Sequence, residues 1–141
     1  MSTSTPTIAI TPAQSTVEEM YAAFGRGDVA GILAGCAAEV EWIGNGPQNV
    51  IPYCGSRRGV AGVAEFFKVH AASEEIIEFV PDVYVASGDL VAVRGHEIGI
   101  AKTTGKQFST PWLHLFTFRG SQCVRWEACY DSAAVVAAYT K

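Results

Sequence analysis

The chain has 141 residues, of which 49% are hydrophobic and 17% charged, with 14 acidic against 10 basic side chains and a formal charge of −4. That balance excludes disorder for most of the chain, the mild acidity excludes the clustered Lys and Arg of a nucleic-acid surface, and no apolar run reaches the ~18 residues of a membrane span. It also leaves more apolar surface than a plain monomer of one domain hides, which implies a cavity or a subunit interface.

Residues 1–14 are Ser/Thr/Pro-rich and read as a mobile N-terminal tail, with neither the basic nor the apolar region of a secretory signal; residues 15–141 read as a single domain. Ser15 or Thr16 suits an N-cap, and Val17, Met20, Tyr21 and Phe24 repeat at helical spacing until Gly25 and Gly27. Asp28 caps a short second helix with Val29, Ile32 and Leu33. Val40–Ile43 reads as a strand, the Gly- and Pro-bearing stretch 44–59 as a loop, and Val60–Ala72 as a third helix. Four strand-like runs follow, Ile76–Ser87, Leu90–Thr103, Gln107–Arg119 and Gln122–Asp131, separated by Gly88-Asp89, Thr104-Gly105 and Gly120-Ser121. The Ala-rich last ten residues end in a turn of helix. The order predicts an α+β fold with helices packed on one face of a curved, mainly antiparallel sheet.

Cys36, Cys54, Cys123 and Cys129 form no C-x-x-C pair, and Cys123 and Cys129 lie ~20 Å apart in one strand, too far to bridge. They read as reduced thiols of a cytoplasmic protein. The three histidines make no metal-ligand spacing, and the glycines make neither of the phosphate-binding signatures, so the expectation is no metal and no nucleotide cofactor.

The stretch Tyr21-Ala-Ala-Phe-Gly-Arg-Gly-Asp28-Val29, the run Gly59-Val-Ala-Gly-Val-Ala-Glu-Phe-Phe67, and the strands Thr110-Pro-Trp-Leu-His-Leu-Phe-Thr-Phe118 and Val124-Arg-Trp-Glu-Ala-Cys-Tyr-Asp131 together resemble the SnoaL-like, or nuclear transport factor 2-like, superfamily over residues 15–137. The resemblance implies a cone-shaped α+β barrel in which three N-terminal helices and a strongly curved sheet enclose one deep apolar pocket. Members include ketosteroid isomerase, scytalone dehydratase, limonene-epoxide hydrolase, polyketide cyclases and non-catalytic binding modules, so the fold alone does not fix a function. In this family the outer sheet face packs against a second subunit, which would cover Leu113 and Leu115 in a homodimer.

Hairpin register decides which side chains share the pocket face. A two-residue turn at Thr104-Gly105 sets Glu97 opposite Trp112 and Gly95 opposite His114, placing Glu97 diagonal to His114 at ~7–8 Å, with Gly95 clearing space for a ligand. A tight turn at Gly120-Ser121 brings Glu127 to His114, whereas a β-bulge turns Trp126, Ala128 and Tyr130 inward and Glu127 outward; the bulge is the preferred reading, and without it Glu127 replaces Glu97. Trp42, Tyr53, Phe66, Trp112, Phe116, Trp126 and Tyr130 are the candidate ligand-binding wall, and the placing of three Trp inward suits a ring-shaped ligand. His96 points to the opposite face, His70 answers the dipole at the end of the third helix, and Arg57-Arg58 reads as a solvated pair, the alternative being a contact for an anionic ligand at the pocket mouth.

Glu97 and His114 are the candidate catalytic pair. The resemblance implies a pocket carboxylate at Glu97, as in limonene-epoxide hydrolases, and a pocket His at His114, as in polyketide cyclases. Ala128 stands where those enzymes carry a last-strand carboxylate, Trp42 where ketosteroid isomerase has its general base, and Met20 nearer than Tyr21 to its oxyanion Tyr, so steroid isomerisation does not carry over. The expected function is a pocket for a hydrophobic, cyclic metabolite. Any chemistry is acid/base and cofactor-free, with Glu97 as base or as the group that activates water, His114 as proton donor or oxyanion stabiliser, and Tyr53 or Tyr130 adding a hydrogen bond. The alternative is a non-catalytic ligand carrier or dimeric interaction module.

Overall fold

The computed structural model describes residues 10–141. Helix α1 spans Pro12–Gly25, α2 Val29–Leu33, strand β1 Cys36–Gly44, β2 Gly55–Arg58, α3 Gly59–Ser73, β3 Glu74–Ser87, β4 Leu90–Ala101, β5 Gln107–Arg119, β6 Gln122–Tyr130 and α4 Ser132–Tyr139. The first helix begins earlier than Ser15 or Thr16. Thr11 is its N-cap, accepting from the Gln14 N–H at 3.1 Å, and Pro12 opens the first turn, a pairing that pre-sets helical φ where an N–H is not needed. Residues 12–14 therefore belong to the helix, and the remainder of the expected tail, residues 1–9, lies outside the described residues.

The six strands form one sheet in the order β2-β1-β6-β5-β4-β3. All neighbours are antiparallel except β1 with β6. Two expectations are corrected. The sheet does not close into a barrel, since β2 and β3 remain edges. Nor do three helices precede the sheet: β1 and β2 come before α3, and α4 follows the last strand. The loop expected over residues 44–59 yields β2 at its end, where Gly55–Arg58 pairs back onto β1.

The concave face is set by alternation. Val91, Val93, Gly95 and Glu97 of β4 share it with Phe108, Thr110, Trp112, His114 and Phe116 of β5, and burial along β5 alternates without a break from Phe108 to Phe118. The core lies between this face and Val17, Met20 and Ala23 of α1, Val63 and Phe66 of α3 and Val135 of α4. The first hairpin register differs from expectation by two residues: Gly95 faces Trp112, Glu97 faces Thr110 and His114 faces Val93. The turn is not two residues long. Ala101 donates to Lys106 O at 2.9 Å, and Gly105 donates back to Ala101 O at 2.8 Å, closing a four-residue loop. A two-residue slip preserves parity, so the faces stay as expected while the neighbours change.

The second hairpin contains the bulge. Arg119 pairs with Gln122 and Phe118 with Cys123, but Thr117 pairs with Arg125, leaving Val124 as the extra residue. The parity of β6 inverts there, so Trp126 and Ala128 are buried and Glu127 turns outward to accept a hydrogen bond from Arg125 at 3.1 Å.

Candidate active site

One cavity opens in the concave face, with about 100 Å³ available to the centres of water-sized molecules. One water needs ~10–15 Å³ on that measure, so the space suits a small ring. All nine sequence candidates line it: Glu97, His114, Trp42, Tyr53, Phe66, Trp112, Phe116, Trp126 and Tyr130. Their mutual arrangement differs from the expected one. Glu97 and His114 are not diagonal neighbours, because the register puts four residues, about 13 Å of strand, between them, with Trp112 in the gap. The position opposite Gly95 is filled as well. A Cβ there would collide with the Trp112 indole and the Val80 carbonyl oxygen, so the glycine admits the protein's own ring rather than a ligand.

The acidic end is a cluster that sequence reasoning found only in part. Glu74, the first residue of β3, faces inward with its side chain fully buried. Tyr53 donates its hydroxyl to Glu74 Oε1 at 2.8 Å, and His70 Nε2 stands 3.0 Å from Glu74 Oε2. Glu97 brings a carboxyl oxygen within 4.8 Å of Glu74 and of His70. Burial, then the closeness and charge of Glu74, push Glu97 far above the usual carboxylate range. Burial also pushes Glu74 up, but His70, Glu97 and Tyr53 outweigh it and hold Glu74 below its ordinary value. Two carboxyl groups this close cannot both ionise. At neutral pH the proton of the pair therefore sits on Glu97, with Glu74 the carboxylate.

At the other end His114 is wholly neutral, since burial pushes it down to about 3. Its Nδ1 lies 2.7 Å from the Tyr21 hydroxyl. The imidazole stacks on Trp112 with ring centres 4.0 Å apart, and Trp112 stacks in turn on Phe79 at 4.9 Å. Trp42 and Trp126, side by side across β1 and β6, stack at 4.5 Å. The indole N–H groups of Trp42 and Trp112 are buried without an acceptor. Tyr130 meets the Cys54 thiol at 2.8 Å, away from the acidic pair's hydrogen bonds.

Glu74, His70 and Tyr21 were missed as site residues. Glu74 falls just ahead of the strand as read from sequence, where its parity was not considered. A bulge between Ile76 and Glu78 further down β3 hides the alternation. The signal that could have found it is the His70-x-x-x-Glu74 spacing, which puts both on one side of a helix end. His70, Glu74 and Glu97 each offer an atom within 4.8 Å of the others, a grouping of metal-ligating types that the expectation of no metal did not anticipate; here a shared proton relieves the carboxylate repulsion. His96 is half-exposed beside Glu78 at 3.4 Å. Arg57 is not simply solvated: it donates to Tyr53 O at 2.9 Å and lies 5.8 Å from the Phe66 ring centre, bracing the cavity wall from behind.

An open, curved sheet with helices over an apolar hollow is the architecture of NTF2-like pocket proteins. The chain belongs to the SnoaL-like domain family, whose model matches residues 17–126. No curated protein matches. Among solved structures, an NTF2-like protein from Burkholderia xenovorans LB400 is 30% identical, with a TM-score of 0.84 over 95% of this chain and 100% of its own. TerC, co-crystallised with polyporic acid, is 25% identical with a TM-score of 0.83 over 92% of this chain and 98% of its own. A protein with a ketosteroid isomerase-like fold from Catenulispora acidiphila DSM 44928, in complex with trimethylamine, shares the fold at 18% identity and a TM-score of 0.73, over 88% of this chain and 91% of its own. Among the described residues, no helix is long and apolar enough to cross a membrane.

Proposed function

We propose that this protein takes a hydrophobic, ring-bearing small molecule into its cavity and moves a proton on it, in an isomerase-, dehydratase-, cyclase- or hydrolase-type reaction whose proton carriers are its own side chains. The observation that carries this reading is the Glu97 carboxyl at the wall of a largely apolar hollow, with the fully buried Glu74 beside it. A structural role alone does not account for it, since burying two carboxyl groups costs free energy unless their hydrogen bonds are fully satisfied, and Glu97 Oε1 is buried without a partner. Glu97 gives its proton to a substrate oxygen or carbon and takes one back; Glu74, held by Tyr53 and His70, sets the charge beside it from behind the wall. The neutral His114 stabilises developing negative charge as a hydrogen-bond donor rather than as an acid. Trp42, Trp126 and Phe66 shape the ring's seat. TerC's co-crystallisation with polyporic acid supports a small organic molecule as the class of occupant.

The setting in this reading is the cytoplasm, consistent with four free thiols. The assembly is a homodimer through the outer sheet face, which exposes Leu113, Val83, Val85 and Leu90.

The separation of Glu97 from His114 by Trp112 favours a second reading, a ligand carrier without turnover. Proton exchange separates the two. Incubated in D₂O with a panel of cyclic ketones and followed by NMR, the wild-type protein should accelerate exchange at the carbon beside the carbonyl. E97Q should retain ring binding, seen by tryptophan fluorescence, and lose ~10²-fold or more of the exchange rate. Binding without exchange in the wild type would establish the carrier; exchange that is equal in E97Q would remove Glu97 as the proton carrier.

A further inference from the structure

We propose that Tyr21 is a positioning residue that holds His114 with its proton on Nε2, so that the imidazole presents an N–H donor to an acceptor oxygen of the bound ring. The inference rests on the reading of the cavity as a small-molecule site and names the class of ligand it selects.

The argument starts with the hydroxyl. Tyr21 reaches from α1 to within 2.7 Å of Nδ1, and among the described residues its oxygen has no other hydrogen-bond partner. A buried hydroxyl proton without an acceptor, or a buried Nδ1 lone pair without a donor, costs free energy. Donation from Tyr21 to Nδ1 satisfies both with one bond. Nδ1 is then the acceptor, and the neutral ring's proton sits on Nε2. The ring cannot turn to escape this assignment. It is stacked on Trp112, nearly parallel to Tyr21 at 16°, and met edge-on by Phe116 and Trp126. Burial keeps it neutral, so Nε2 is a hydrogen-bond donor and not an acid.

Nε2 makes no hydrogen bond within the protein among the described residues. The same wall carries the two indole N–H groups, of Trp42 and Trp112, that lack acceptors. Those two nitrogens are sealed off, so the donor left for a ligand at this end is the His114 Nε2–H. No Lys or Arg lines the hollow. A ring bearing a carbonyl or enolate oxygen pairs with this donor; a plain hydrocarbon ring leaves it unpaired, and a ring amine brings further donors. A site built to hydrogen-bond one group rejects analogues lacking it.

Two measurements test this. In ¹⁵N-histidine-labelled, ligand-free protein, NMR reads the tautomer of His114 directly: a pyridine-like Nδ1 and pyrrole-like Nε2 are expected, and a proton on Nδ1 would overturn the assignment. Tryptophan fluorescence titrations then compare indanone, indane and aminoindane. Indanone should bind ~10-fold more tightly than indane, with aminoindane the weakest, and Y21F, which keeps the ring and drops the hydroxyl, should populate the other tautomer and narrow the indanone preference. Equal binding of indanone and indane by the wild type, or a Y21F protein unchanged in both tautomer and preference, would overturn the proposal. If none of the rings bound, the small-molecule reading would fall, and with it the ligand class; the wild-type tautomer would still decide the role of Tyr21 and needs no variant to fold.

Discussion

Glu97 and His114 are both held neutral by burial, and because one is an acid and the other a base they pull stability in opposite directions with pH. The Glu97 carboxyl titrates above its unfolded value of ~4.3, so the folded state binds the extra proton; its contribution is complete at low pH and is lost as pH rises. E97Q lacks that loss. Its stability relative to wild type should therefore rise between pH 5 and 8, by up to ~1.4 kcal/mol per pH unit, in urea unfolding at matched pH; a constant difference would place Glu97 as an ordinary ionised carboxylate. His114 is the mirror case. Its folded value of about 3 lies below the unfolded ~6.5, so its contribution is present above pH 6.5 and lost as pH falls. From pH 7 to pH 4 that loss is on the order of 3 kcal/mol. H114N should flatten the acid limb of the stability profile against wild type, and an unchanged limb would show that the imidazole protonates in place.

At the scale of the elements, the strands show what a sequence does and does not disclose. The faces of β4 and β5 were legible because apolar alternation is long and unbroken there, and the bulge in β6 was legible because Trp126, Ala128 and Tyr130 could not otherwise share a face with His114. The partners across β4 and β5 were not legible. Thr104-Gly105 has the composition of a two-residue turn, while the backbone closes the loop from Ala101 to Lys106, and nothing in the residue types distinguishes the two. So the nine candidates were placed on the right wall, but Glu97 was given the wrong neighbour. Its actual neighbour, Glu74, sits at a helix-to-strand junction, where neither the 3.6-residue nor the 2-residue period applies. The register has its own test. Gly95 is the one place on β4 where the Trp112 indole can lie across the strand, so G95A should cost ~1–3 kcal/mol by overpacking and disturb the Trp112 emission; a neutral G95A would contradict this pairing.

On the scale of the whole molecule, the apolar excess of the composition has two destinations. Part of it lines the cavity. The rest lies on the convex face, where Leu113 is 56% exposed and Val85 61%, beside Arg94 and Arg125. The proposed second subunit on that face would cover what one chain leaves in water. L113D should shift the protein to monomer in sedimentation velocity while leaving ring binding intact, since the substituted side chain faces away from the hollow; a wild type already monomeric at high concentration would contradict the dimer.

The central claim is the shared proton at the cavity wall, and infrared difference spectroscopy reads it most directly. At pH 7 the wild-type protein should show the carbonyl stretch of one protonated carboxyl group in an apolar setting, absent in E97Q and perturbed in E74Q. A spectrum in which every Glu is ionised at pH 7 would contradict the account.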